Sequence, residues 1–216
     1  MAGEGNGGNG KEGKRRRASA DARRQKILEA ALGVFLAEGY VATRMDQVAA
    51  RAGVAKGTIY VHFADKEALF RSLIHEEIGP IIARGTTLAA SFEGDTRDLL
   101  RALARVMQRE VLGTQRADIL RLVISEAPRF PWLAAFYWHE VVERIMALIR
   151  AIAARGVARG EISSTALQRF PQIVAAPLLV SVIWQALFEP FEPLDTEAFL
   201  DNYIDILMRG LACERA

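Results

Sequence analysis

Thr43 to Leu69 reads TRMDQVAARAGVAKGTIYVHFADKEAL, and its spacing decides the fold. Met45, Val48, Ala49 and Ala52 recur at helical intervals. Gly53 follows them, and glycine tolerates the left-handed backbone that stops a helix. Val54 plugs the turn. A second short helix is expected over Ala55 to Phe63, with polar or amphipathic Lys56, Thr58, Tyr60 and His62. Asp65 is placed to cap a further helix, with Glu67 in its first turn. Two short helices around a tight turn form a helix-turn-helix, which sets its second helix in the DNA major groove.

The string Gly53-Val-Ala-Lys-Gly-Thr-Ile-Tyr-Val-His-Phe-Ala-Asp-Lys-Glu-Ala-Leu69, within Arg23 to about Ile74, resembles the tetracycline-repressor (TetR) family of transcriptional regulators. The resemblance implies an all-α homodimer. An N-terminal helix-turn-helix domain would read DNA, and a C-terminal helical domain would bind a small effector and dimerise. It also implies roles for single residues. Thr43, Lys56, Tyr60, His62 and Lys66 match phosphate-contacting positions, while Arg44, Lys56, Gly57 and Thr58 match positions that approach bases. The residue chemistry agrees: cations and hydroxyls suit phosphates, and an arginine can grip guanine O6 and N7 with two hydrogen bonds. Arg44 is read as a base contact, with a phosphate clamp or a solvated side chain as the alternatives. For the whole set, the plain alternative is the exposed face of a small helical bundle.

Charge divides along the chain. Residues 1–75 carry 13 Lys/Arg against 8 Asp/Glu, net +5, and the remainder carries 15 against 18, net −3. A basic first part joined to a mildly acidic second part suits a DNA-binding module with an appended domain. The lone Cys213 excludes an intrachain disulfide, and with three scattered histidines it argues against a zinc site. No cofactor is expected. No apolar run is long enough to span a bilayer and no signal-peptide core opens the chain, so a cytoplasmic protein is the default expectation.

The expected organisation has three parts. Residues 1–20, rich in Gly, Asn and charge and ending near Lys14-Arg-Arg-Arg17, form a disordered basic arm able to reach phosphates or the minor groove. Residues 21–78 form the DNA-binding domain, whose first helix, Asp21 to Glu38, buries Ile27, Leu28, Ala31, Val34 and Phe35. Ser19 or Asp21 would cap that helix, and Thr43 the next. Gly79-Pro80 marks the boundary, where proline removes a backbone donor. Residues 79–216 form the effector-binding and dimerisation domain. About nine helices are expected in all, with no strand.

Helices at about 165–189 and 195–212 are the dimer candidates, because the first is apolar over much of its girth and the second carries an apolar stripe. Pro177 should bend the first of them or delay its start. Gly156 should weaken the end of the long helix from Trp132 to about Arg159. A pocket for a mostly apolar effector is assigned to Phe92, Met107, Val111, Leu122, Glu126, Trp132, Phe136, His139, Trp184 and Gln185, against the alternative that each packs in the core.

An enzyme is disfavoured. No glutamate lies three residues before a histidine, as helical di-metal sites require, and no nucleophile elbow or phosphate loop appears. The remaining alternative is a DNA-binding adaptor without an effector. The sequence names neither operator nor effector, and does not separate repression from activation.

Overall fold

The computed structural model describes residues 9–212, with side chains from Ala18 onward except Ser19. Residues 1–8, the side chains of the basic run Lys14–Arg17 and Cys213 lie outside the described residues. The chain divides into two compact units, 1–73 and 74–216. Among the described residues every regular element is helical.

In the first unit α1 spans Asn9–Ala42, α2 Met45–Arg51 and α3 Lys56–His62, and α4 begins at Lys66. α1 starts at Asn9, not at Asp21, so neither Ser19 nor Asp21 caps it, and part of the expected arm is helical. Composition weighs glycine and charge as disorder, whereas Lys, Arg and Ala propagate a helix already nucleated downstream. Gly39 leaves helical geometry at φ 75° and lets Tyr40 fold back. Tyr40 stacks on Phe35 at 5.8 Å, and both meet the edge or face of Phe70 at 5.6 and 5.3 Å. With fully buried Ile27, Leu28, Val48, Ile59 and Leu69, these rings make the core that holds α2 and α3. Gly53, at φ 65°, closes α2: its amide donates to Ala50 and that of Val54 to Ala49, a paired motif that satisfies the last carbonyls. α2 is capped at Arg44 rather than Thr43, with Gln47 Oε1 accepting the Arg44 amide at 2.9 Å.

The second unit opens within α4, which runs unbroken from Lys66 to Ser91 through Pro80. There follow α5 Thr96–Glu110, α6 Gln115–Glu126, α7 Pro131–Tyr137, a π-helical turn Trp138–Val142, and α8 Glu143–Ala158. α9 Ala166–Arg169, α10 Gln172–Leu187 and α11 Thr196–Leu211 complete it. Asp95, Thr114 and Asp195 cap α5, α6 and α11 through their side-chain oxygens.

The main core joins α5, α8 and α11 through Leu99, Leu100, Ile152, Ile204, Met208 and Leu211. Arg97 and Arg101 reach Asp205 at 2.7 and 2.9 Å along its edge, and Arg101 reaches Asp201 at 2.6 Å. Each partly exposed pair contributes at most about 1 kcal/mol. A buried leucine contributes about 2 kcal/mol, so the apolar face dominates the packing.

Two expectations change here. The expected 165–189 helix is two helices, since Pro171 caps α10 and separates it from α9. Gly156 is not a flaw in α8: a Cβ there would lie 2.7 Å from Ile162 Cδ1 and 2.8 Å from Thr96 Oγ1, so the position requires a hydrogen.

Candidate functional site

Buried Ile59 anchors α3 in the first unit and turns the opposite side outward. Lys56, Gly57 and Tyr60 are exposed, and Thr58 and His62 are half-buried. No atom lies within 4 Å of where a Gly57 Cβ would stand, so backbone and approaching groups can come close. This is the polar, accessible helix face that a major groove accepts. Arg44 is also exposed, but its guanidinium grips Asp46 through Nε–Oδ1 at 3.1 Å and NH2–Oδ2 at 2.8 Å. The Arg44 hydrogen bond holds the Asp46 carboxyl below its ordinary pKa. A base contact by Arg44 therefore exchanges one pairing for another.

Two of the matched residues are otherwise engaged. Thr43 is 2% exposed, and its hydroxyl donates to Gly39 O at 2.7 Å. Lys66 Nζ donates to the carbonyls of Tyr40, Val41 and Thr43 at 2.6, 2.9 and 3.0 Å, and sits 4.6 Å from the Tyr40 ring centre. An ammonium has three protons, and all three are used in tying the start of α4 to the end of α1. Both side chains are held within the first unit, so a phosphate contact by either would exchange these bonds for another. Val61 was missed: it stands 82% exposed on α3. The signal was available, because a residue two positions after buried Ile59 lies about 200° around the helix.

The second unit holds a partly open cavity of about 190 Å³. α4 borders it with Ile82, α5 with Leu103, α8 with Leu148, α10 with Pro177 and Leu178, and α11 with Leu207. Arg116, Tyr137 and Tyr203 are the polar side chains of its wall. Tyr203 donates its hydroxyl proton to Ile173 O. Arg116 Nε lies 3.0 Å from Glu77 Oε2 but off the axis of its N–H, so the pair is ionic rather than hydrogen-bonded, and NH1 donates to Glu110 O at 3.2 Å.

Of the ten residues assigned to this pocket, Met107 and Val111 line it. The other eight do not. Phe92 packs against the α5–α8–α11 core, and Leu122 is buried in α6. Phe136 is buried edge-on to His75 at 5.7 Å. His139 is exposed, 3.2 Å from Glu143. The Trp184 indole donates to Glu192 O at 2.7 Å, and Gln185 borders a surface dent with Asp118 and Arg121. Glu126 and Trp132 lie elsewhere, half-buried. Of the ring residues assigned to the pocket only Phe136 is buried, and it packs against His75.

Comparison with known proteins agrees with this division. A family model described as "Bacterial regulatory proteins, tetR family" matches residues 27–73, and one described as "Tetracyclin repressor-like, C-terminal domain" matches residues 91–207. An uncharacterized HTH-type transcriptional regulator of Mycobacterium tuberculosis is 33% identical over 145 residues, 67% of this chain and 68% of that protein. Among solved structures, a TetR-family regulator from Mesorhizobium loti superposes with a TM-score of 0.70 at 22% identity, covering 90% of this chain and 98% of that one. The regulator FadR from Bacillus subtilis, in complex with stearoyl-CoA, gives 0.69 at 20% identity, covering 87% and 98%. At such identities the two structures speak for the fold. With the helix-turn-helix and the C-terminal bundle each matched by their own models, the chain belongs to the TetR family of helix-turn-helix transcriptional regulators.

Proposed function

We propose that this regulator is a homodimeric repressor, released from a palindromic operator by a small, mostly apolar effector. The observation that carries the reading is the partly open, apolar cavity in the second unit. A regulator without an effector has no use for such a space, and an unfilled void in a core is destabilising. The helix α4 contributes Lys66 to the first unit and Ile82 to the cavity wall, so an occupant that shifts α4 alters the DNA-reading unit. Coupling of about 1–3 kcal/mol suffices for a useful response. The stearoyl-CoA complex of FadR supports an apolar occupant.

Support for the dimer lies on α10. Ile173, Val180, Ile183 and Leu187 recur three, four or seven residues apart and are all exposed, an apolar stripe at helical spacing. Such a stripe on α10, with α11 beside it, suits pairing with a symmetry mate. Two α3 helices about 34 Å apart would then read half-sites one DNA turn apart. Lys56, Tyr60 and His62 would meet phosphate, and Arg44, Gly57, Thr58 and Val61 would approach bases. The test is a mobility-shift selection from random duplexes at fixed salt. A palindromic site bound by two chains, and released by apolar compounds, is expected. A single half-site bound by one chain would overturn the dimer, and binding unaffected by any cavity occupant would favour the effector-free adaptor.

A further inference from the structure

We propose that the cavity takes an uncharged, mostly apolar molecule whose one hydrogen-bond acceptor, such as a ketone or ester oxygen, is received by the Tyr137 hydroxyl. The proposal rests on the reading of this cavity as the effector site, and adds the ligand class and the anchor.

Tyr137 borders the cavity, and among the described residues its hydroxyl has no hydrogen-bond partner. The ring is deeply buried, yet the residue keeps some accessible surface, as expected of a side chain whose end opens on an internal space. Burial pushes its pKa to about 12, so it stays a neutral donor at ordinary pH. A hydroxyl with no protein partner keeps a donor to offer, and a ligand acceptor in the cavity can take it up.

The other two polar side chains of the wall already have partners, although the buried Arg116 Nε makes no hydrogen bond. The Tyr203 hydroxyl already donates to Ile173 O. The charge of Arg116 is balanced by Glu77. A carboxylate would meet the negative charge of Glu77 beside Arg116, and an ammonium would find no counter-charge of its own, so either ion enters at a desolvation penalty. An uncharged ligand incurs neither.

The backbone aims Tyr137. The π turn Trp138–Val142 begins at the next residue. In a regular α-helix, residues four apart drift by about 40° around the axis. A wider π turn opposes that drift and keeps Tyr137 in line with Val141 and Ile145, which also border the cavity. Such turns recur at functional sites.

Size sets the probes. A cavity of about 150 Å³ holds benzene. The 190 Å³ here suits about eight or nine heavy atoms. The test is calorimetric titration of the full chain with 2-octanone, nonane, heptanoate and octylammonium, matched in heavy atoms. The ketone should bind about three- to tenfold tighter than nonane, and both ions more weakly than the ketone. Tyr137→Phe should bring the ketone down to the alkane's affinity and leave nonane unchanged, which also reports an intact cavity. Leu148→Trp should abolish both by filling the space.

The ketone-to-alkane ratio of the unaltered chain tests the anchor even if the phenylalanine variant does not fold. Heptanoate or octylammonium binding tightest would overturn the uncharged-ligand proposal and leave the cavity's effector role standing. A ketone affinity unchanged by Tyr137→Phe would overturn the anchor. Binding of none of the four would remove both. Ketone binding with no change in operator affinity would support the anchor and refute the effector role alone.

Discussion

The Tyr203 hydroxyl donates to the Ile173 carbonyl, the oxygen that Pro177, four residues on in α10, has no amide to meet. Proline inside a helix removes an i→i−4 hydrogen bond and leaves its acceptor orphaned. Here α11 replaces the missing donor with a side chain, so α10 continues through its proline. Tyr203→Phe should lower stability by about 1 kcal/mol. Pro177→Ala restores the amide, and in that background Tyr203→Phe should cost much less. Denaturant unfolding of the four variants checks it: a coupling on the order of 1 kcal/mol is expected, and simple additivity would separate the two residues.

Lys66 and Lys56 separate fold from reading. Lys66 holds three carbonyls at the junction of α1, α2 and α4. Lys66→Met should lower the melting temperature of the first unit, in line with a loss of about 1.5–3 kcal/mol for charged hydrogen bonds. Lys56→Ala should leave melting unchanged, weaken DNA binding across sequences, and reduce the salt slope by about 1. Calorimetric melting and a salt titration of DNA affinity measure both. If Lys66→Met kept its melting temperature and copied the DNA defect of Lys56→Ala, the ammonium would be a phosphate contact after all.

Local chemistry made some of this legible in the sequence. Gly53 announces the α2 stop through its backbone freedom, Asp65, Asp95 and Asp195 announce helix starts through their oxygens, and Ile59 announces the buried side of α3. Lys66 did not announce itself, because a cation at a helix start reads as solvent-facing until the carbonyls of Tyr40, Val41 and Thr43 are brought to it. On α7 the pocket assignment fell on Phe136, one residue before Tyr137, for a similar reason. Phe136 is the more apolar choice, but the π turn that aims Tyr137 inward leaves no sign in hydrophobic spacing. Pro171 was passed over for Pro177, although only the first interrupts a helix. Tyr203 explains why the second does not.

The glycines of the second unit should respond oppositely to alanine. Gly156→Ala drives a methyl into Ile162 and Thr96, and overpacking of this kind costs about 1–3 kcal/mol. Gly210 in α11 has no atom within 4 Å of a prospective Cβ, so Gly210→Ala should gain about 0.5–1 kcal/mol of helix stability. Urea midpoints at constant slope test the pair. A neutral Gly156→Ala would mean that Ile162 moves aside freely.

The α10 stripe predicts the assembly state. Val180→Asp and Leu187→Asp change residues already 44% and 58% exposed in the isolated chain, so monomer folding should survive, as far-ultraviolet dichroism would show. If the stripe pairs two chains, each aspartate buries an unpaired charge at the interface. Sedimentation should then show monomers at micromolar concentration. Operator affinity should fall steeply, because the two half-sites are no longer held by one particle. Dimers that sediment unchanged would place the interface elsewhere.

Acid should loosen the second unit at Glu161. Its Oε2 accepts from the amide and hydroxyl of Thr96 at 2.8 and 2.6 Å, and Oε1 lies 2.7 Å from Arg159 Nε. Burial acts to raise its pKa, but the Thr96 hydrogen bonds and the Arg159 charge together outweigh it and hold the carboxyl below its ordinary value. A folded-state pKa below the unfolded one of about 4.3 means that the stabilisation is complete above that pH. It is lost as pH falls through the folded value. Glu161→Gln should therefore melt earlier than the native chain at pH 7, and the gap should narrow progressively below about pH 4. Melting curves across that range decide it: a gap that stays constant into strong acid would show that the side chain's shape, not its charge, is what Thr96 requires.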